Sequence, residues 1–131
     1  MHSDSHKTLW QQYEHAALFA RKQGNLGKAT RILREALRES EDYGELSCGL
    51  IEQAHALAYV YLNQYRFADA ESLFRLVLEV REKLYGQTHD DVVDSLKKVA
   101  IVQIMAFRAE ALGRKTTCSP MPWSESVAAA S

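Results

Sequence analysis

Two stretches of the chain repeat each other at an offset of 42 residues, with Tyr43-Gly44 in one matching Tyr85-Gly86 in the other. The apolar series that follows is Leu50, Ile51, Ala54, Leu57 and Ala58 in the first stretch, and Val92, Val93, Leu96, Val99 and Ala100 in the second. A repeat of this length predicts stacked supersecondary units, each burying its apolar face against the next. Such solenoids present extended binding surfaces and are seldom catalysts.

The charge balance excludes some classes of partner. The 131 residues include 16 basic and 17 acidic side chains, for a net charge of −1, and 47% are hydrophobic. Such a chain has enough apolar residues to fold, and its charge favours neither nucleic acid nor a membrane surface as partner. With only two prolines and six glycines, the composition favours helices.

The two cysteines and the start of the chain suggest a location. Cys48 and Cys118 are too few and too far apart for a disulfide framework, so we expect free thiols in a reducing compartment. Residues 1–8 are polar and lack the apolar centre of a signal peptide, and no apolar run is long enough to span a bilayer. We therefore expect a cytoplasmic protein that does not insert into a membrane.

Apolar residues at three- and four-residue spacing predict five helices. The expected ranges are 7–23, 26–42, 48–64, 67–85 and a last helix of more than twenty residues that starts near 91. Gly24, Gly44 and Gly86 are expected to end helices, and Asn25 to cap the second one. Ser47 is the expected cap of the third helix, and Thr88 or Asp90 that of the fifth. We predict that Val92, Val93, Val99, Phe107 and Leu112 cover the second helix pair.

The middle of the chain resembles a tetratricopeptide repeat. Residues 54–86 carry its small and large signature residues, including Ala58, Ala70 and Phe74. The run from Leu78 to Lys83, then Gly86 and the residues from His89 to Val93, are similar to the 42-residue subtype of kinesin light chains. The likeness extends over about residues 9–112, with one residue missing from the second helix.

Three features depart from that subtype. Asp90 stands in place of proline, and Lys97 and Lys98 stand in place of paired asparagines. The glycine of the inner turn is absent at Tyr65 and again at Phe107. The change at Phe107 predicts that the last helix does not fold back and instead caps the solenoid.

The resemblance implies an all-α fold, a short right-handed solenoid of antiparallel helix pairs with a long C-terminal capping helix. We expect a flexible N-terminus over residues 1–6 and a tetratricopeptide-like domain over 7–115. Within that domain, the first repeat covers 7–44, the second 47–86 and the capping helix 90–114. A disordered tail is expected over 116–131, where two prolines and many small residues replace the helical pattern.

The resemblance also implies a function: binding a peptide or protein segment on the concave face, as an adaptor or scaffold. The first helix of each unit lines that face in this family. The residues it would place there are Gln11, Glu14, Leu18, Arg21, Lys22, Glu52, His55, Tyr59, Leu62, Asn63, Asp94, Lys97, Ile101, Ile104 and Met105. Glu14 and Leu18 stand where some relatives use basic or amide side chains to clamp a C-terminal carboxylate, which argues against that mode.

Other readings stay open at this point. Ile101, Ile104 and Met105 can instead contact a second copy of the chain, a further repeat, or the tail around Trp123. A self-associating structural module is therefore the alternative function, and a sensor of a small peptide signal ranks below both. No phosphate-binding loop, metal-ligand cluster or nucleophile motif is present, so we expect neither an enzyme nor a cofactor.

Overall fold

The fold is all-α, as the sequence predicts. The computed structural model describes the backbone of residues 2–118 and the side chains of residues 8–113. Its five helices are α1 (His2–Lys22), α2 (Leu26–Tyr43), α3 (Cys48–Asn63), α4 (Phe67–Tyr85) and α5 (Asp90–Cys118). Within residues 2–118 no helix is long and apolar enough to cross a membrane.

The helix boundaries differ from the predictions mainly at the two ends of the chain. Helix α1 begins at His2 instead of residue 7, so it includes most of the expected N-terminal extension. Helix α5 ends at Cys118, four residues beyond its expected end, so residues 116–118 of the predicted tail are helical. The remainder of that tail, residues 119–131, lies outside the described residues. The three internal helices match their predicted ranges within one residue.

The turns owe their shape to the residues that the sequence singles out. Gly44 has φ 70°, the left-handed conformation that glycine adopts at little cost, and it ends α2. The side chain of Asn25 caps α2 by accepting a hydrogen bond from the Lys28 amide at 3.2 Å. Ser47 precedes α3 as predicted, but its side chain forms no capping hydrogen bond.

The cap of α5 was predicted wrongly. The helix begins at Asp90, and His89 directly precedes it. The Nδ1 atom of His89 accepts a hydrogen bond from the Asp91 amide at 3.1 Å. The His89 carbonyl also accepts from the amides of Val92 and Val93. The imidazole therefore has the capping role that we assigned to Thr88 or Asp90.

The helices stack as two pairs and a final single helix. Helix α1 packs on α2, and α3 packs on α4, while α1 contacts α3 and α2 contacts both α3 and α4. Small residues stand at the close approaches: Ala29, Ala58 and Ala70 are fully buried. Helix α5 packs on α4 alone among the described helices. The described residues therefore form two helix pairs and a last helix that has no pair among them.

Polar contacts also join the repeats. The Tyr61 hydroxyl lies 2.6 Å from Thr30 Oγ1 and donates to the Leu26 carbonyl at 3.1 Å, so this predicted core residue also joins α3 to α2. Lys83 Nζ donates to Glu41 Oε1 at 2.5 Å. Lys83 and Glu41 are 42 residues apart. Equivalent positions of successive repeats are thus paired by opposite charge.

The prediction of how α5 covers the second pair was partly wrong. Val92 and Val99 are buried as predicted, and they are joined by Ser95 and Val102. Val93, Phe107 and Leu112 are exposed. The reason is helical geometry: the buried series recurs every three or four residues along one face, and the three exposed residues lie off that face.

A buried arginine fixes the start of α5. Arg81 of α4 donates to Ser95 Oγ at 2.8 Å and to the Asp91 carbonyl at 3.1 Å. Both Arg81 and Ser95 are buried. These charge-assisted hydrogen bonds set the position of α5 along α4.

Candidate functional site

A largely apolar cavity of about 250 Å³ opens between α3 and α5. Both helices pack on α4, but among the described residues they do not pack on each other, so a gap remains between them. Its lining residues are Tyr59, Leu62, Phe74, Lys98, Ile101, Val102 and Met105. We call this the α3–α5 cavity.

Aromatic contacts position the α3 side of the cavity. The Tyr59 ring meets the buried Phe74 ring edge-on, with centroids 5.7 Å apart. His55, one turn earlier on α3, lies with its ring 5.6 Å from the same phenylalanine. Tyr59 remains 49% exposed, so its ring is held by Phe74 and is still open to a ligand. An aromatic ring held in this way offers apolar contact at little entropic cost.

His55 is neutral near pH 7. Burial first, and then the positive charges of Lys98 and Arg81, lower its pKa to about 4, against a smaller opposing effect of Asp94. Its Nε2 atom is buried and has no hydrogen-bond partner among the described residues. The imidazole therefore presents a polar atom beside Phe74, in an otherwise apolar setting.

The charged side chains near the cavity, Lys98 and Asp94, lie on α5. Lys98 Nζ donates to Asp94 Oδ2 at 2.7 Å, and this hydrogen bond holds the pKa of the Asp94 carboxyl below its usual value. Lys97 is exposed. Asp94 is thus engaged by its neighbour on the same helix, while Lys97 is the more accessible cation.

The structure brings four of the predicted site residues together at the cavity: Tyr59, Leu62, Ile101 and Met105. Phe74, Lys98 and Val102 also line it, and sequence reasoning did not include them in the site. Phe74 was assigned to the core, which is correct as well, because its ring is buried and still forms part of the cavity wall. The spacing of Lys98, one turn after Asp94 and one before Val102, is the signal that could have found it.

Other predicted residues lie elsewhere. Ile104 is 58% exposed and does not line the cavity, although its neighbour Met105 does. Glu52 borders a separate cavity of about 280 Å³ next to Arg81 and Asp91, near the beginnings of α3 and α5. Asn63 is exposed at the end of α3.

The first-unit residues are separate from the α3–α5 cavity. The Glu14 carboxylate lies against Gly49 in the first turn of α3, where a side chain on residue 49 would clash with it. Arg21 donates to Gln53 Oε1 at 3.5 Å, a long hydrogen bond between α1 and α3. Glu14 and Arg21 therefore join the two units. Gln11 and Lys22 are exposed and Leu18 is half-buried.

Among the described residues, no group of three or more histidine, cysteine, aspartate or glutamate side chains is arranged to hold a metal ion. Cys48 is a free, exposed thiol. The chemistry that the cavity offers is therefore apolar and aromatic contact, with one unsatisfied imidazole nitrogen and two lysines nearby.

Comparison with known proteins supports the helical repeat. Residues 50–91 match the family model described as tetratricopeptide repeat. The match covers most of α3, all of α4 and the first two residues of α5, and the kinesin-light-chain-like subtype is compatible with it. Neither a curated protein nor a solved structure gives a significant match. Residues 50–91 therefore match one tetratricopeptide repeat, which α3 and α4 form.

Proposed function

We propose that this protein is a non-enzymatic adaptor or scaffold that binds a peptide segment of a partner protein in the α3–α5 cavity. Tetratricopeptide repeats generally mediate protein–protein interaction, and the family is generally non-enzymatic. The observation that carries the proposal is the cavity itself, an apolar gap of about 250 Å³ between helices of successive units.

The size and lining of the cavity suggest the ligand. Tyr59, Leu62 and Met105 form an apolar wall that suits one large aliphatic or aromatic anchor side chain. The exposed Lys97 on α5 adds a cation that can bind a carboxylate of the peptide. An extended or amphipathic peptide with one apolar anchor therefore fits best.

The remaining predicted groove residues extend the proposal. A longer peptide that ran from α5 across α3 to α1 would next meet the exposed side chains of Gln11 and Lys22. Those side chains are expected to add contacts at the edge of the site and little affinity. We also propose a cytoplasmic location, because the chain has only two cysteines and Cys48 is a free thiol.

Peptide selection tests the main proposal. Peptides of about twelve residues are selected from a random library against the intact chain, and their dissociation constants are measured by fluorescence anisotropy. The Ile101→Glu/Met105→Glu variant changes two exposed cavity residues, so it should stay folded and lose at least tenfold in affinity.

The control is Phe19→Glu/Tyr65→Glu, which introduces the same charges at exposed apolar positions that do not line the cavity. Selected peptides should bind this control as they bind the native chain. Binding that survives in the cavity variant, with its helicity intact, would rule out the α3–α5 cavity as the site.

Self-association is the second candidate function. The observation that favours it is the set of large apolar side chains exposed on α5, among them Leu96, Ile104 and Phe107. None of these three lines the α3–α5 cavity. One protein can therefore use one face of α5 for a peptide and another face for a second copy.

A further inference from the structure

Helix α5 carries a second apolar face, distinct from the α3–α5 cavity. It consists of Val93, Leu96, Ala100, Ile104 and Phe107, which we call the α5 stripe. All five are exposed, and the large members range from 40% for Val93 to 67% for Phe107. Their spacing of three or four residues puts them on one side of the helix.

The repeat explains why this stripe is apolar. Val93, Leu96 and Ala100 are equivalent, at the offset of 42 residues, to Ile51, Ala54 and Ala58 of α3. Those three α3 residues are buried within the stacked pairs. On α5 the same positions are exposed, because α5 has no second helix of its own among the described residues. The stripe is thus the kind of surface that another helix covers in the preceding unit.

The spacing of the residues in the stripe is symmetric about Ala100. Leu96 and Ile104 lie four residues on either side of Ala100, and Val93 and Phe107 lie seven residues on either side. Two copies of α5 that run antiparallel and cross at Ala100 would bring Leu96 level with Ile104, and Val93 level with Phe107. The small side chain of Ala100 at the centre lets the two helices approach closely.

Charge complementarity favours the same orientation. Asp90 and Arg108 lie on the same edge of the stripe, at opposite ends, and both are exposed. In the antiparallel pair, Asp90 of one copy comes within about 3 Å, along the helix axis, of the partner's Arg108, since each residue rises about 1.5 Å. A parallel pair would instead put aspartate level with aspartate and arginine level with arginine, far from any opposite charge of this set.

We propose that the occupant of the α5 stripe is a second copy of this chain, bound antiparallel about a two-fold axis at Ala100. This inference rests on the proposed self-association and adds its geometry. A two-fold interface of this kind is self-complementary, as closed dimers require. Each copy then supplies a helix to pair with α5 of the other copy, which has no such partner among the described residues.

Sedimentation across a concentration range tests the dimer and its face. The native chain should form dimers, and Leu96→Glu/Phe107→Glu should raise the dimer dissociation constant at least tenfold. Both residues are exposed in the single chain, so this variant should keep its helicity and unfolding midpoint. The control Phe19→Glu, an exposed apolar position on α1, should dimerise as the native chain does.

Cysteine cross-linking tests the geometry separately. In a Cys48→Ser/Cys118→Ser background, Ala100→Cys should form a disulfide-linked dimer on mild oxidation, because the residue on a two-fold axis meets itself. Val93→Cys alone should not cross-link, whereas Val93→Cys combined with Phe107→Cys should. A parallel dimer would cross-link each single variant, including Val93→Cys.

The outcomes are distinct. A native chain that is monomeric at every concentration refutes both self-association and this inference. The occupant of the α5 stripe would then be residues 119–131 or a different protein. If the dimer dissociation constant is unchanged in Leu96→Glu/Phe107→Glu, or if Val93→Cys alone cross-links, self-association stands and the antiparallel arrangement is refuted.

Discussion

Tyr65 adopts a left-handed backbone conformation, with φ 61°, in the turn between α3 and α4. The matching turn of the first pair has Gly24 there, with φ 82°. A side chain in this conformation costs roughly 1–2 kcal/mol. Tyr65 is 79% exposed and contacts Phe67 edge-on, which compensates little of that cost. We therefore predict that Tyr65→Gly raises the free energy of unfolding by about 1 kcal/mol in urea titrations. Tyr65→Ala retains the Cβ and should give no comparable gain; equal gains would assign the effect to removal of the exposed ring.

His55 should make stability depend on pH. Its pKa in the folded chain is about 4, below the ordinary value of 6.5, so the folded state excludes a proton that the unfolded chain binds. The stabilisation is complete above about pH 6.5 and is lost as the pH falls toward 4. We predict that the native chain loses stability between pH 7 and pH 5, and that His55→Gln removes much of this loss. His15→Gln, at an exposed position on α1, is the control and should leave the loss unchanged in urea titrations at each pH.

At the scale of the element, Arg81 determines how α5 sits on α4. Replacing it with alanine leaves the buried Ser95 hydroxyl and the Asp91 carbonyl without their donor. We predict that Arg81→Ala lowers the free energy of unfolding by about 2–3 kcal/mol. Arg75→Ala removes an exposed ion pair with Glu71 on the same helix and should cost at most about 0.5 kcal/mol. Similar losses for both variants in chemical denaturation would show that the buried hydrogen bonds contribute little.

Helix positions were predictable because their signals are local. The glycine at position 44, the cap at Asn25 and the apolar spacing each act within a few residues, and they gave the internal helices almost without error. The imidazole cap was missed because it depends on how one ring nitrogen of His89 is oriented. The orientation of α5 was missed for a different reason. Apolar residues occur on several of its faces, and the buried face is the one that packs on α4, where Arg81, ten or more residues away in sequence, donates to Asp91 and Ser95.

At the scale of the whole molecule, the candidate site was predictable in part. The repeat placed Tyr59 and Ile101 on the first helices of successive units, and both line the cavity. The sequence could not show that α3 and α5 leave a gap, because that gap depends on each helix packing on α4 instead of on the other. For the same reason Phe74 could be identified as a core residue but not as part of the cavity wall.

The stacked arrangement also determines which part of the molecule unfolds locally first. Helix α5 has 29 residues and packs on α4 alone, and its last fully buried side chain among the described residues is Val102. In a solenoid each element is stabilised mainly by its neighbours, and the described part of α5 beyond Val102 buries less side-chain surface than its beginning. We predict that amide hydrogens from Glu110 to Cys118 exchange much faster than those from Leu96 to Val102, and that α3 and α4 exchange most slowly. Because even the proposed dimer covers α5 no further than Arg108, this gradient should persist at dimer-forming concentrations. Uniform protection along α5, measured by hydrogen exchange at two protein concentrations, would show that an additional contact covers its end.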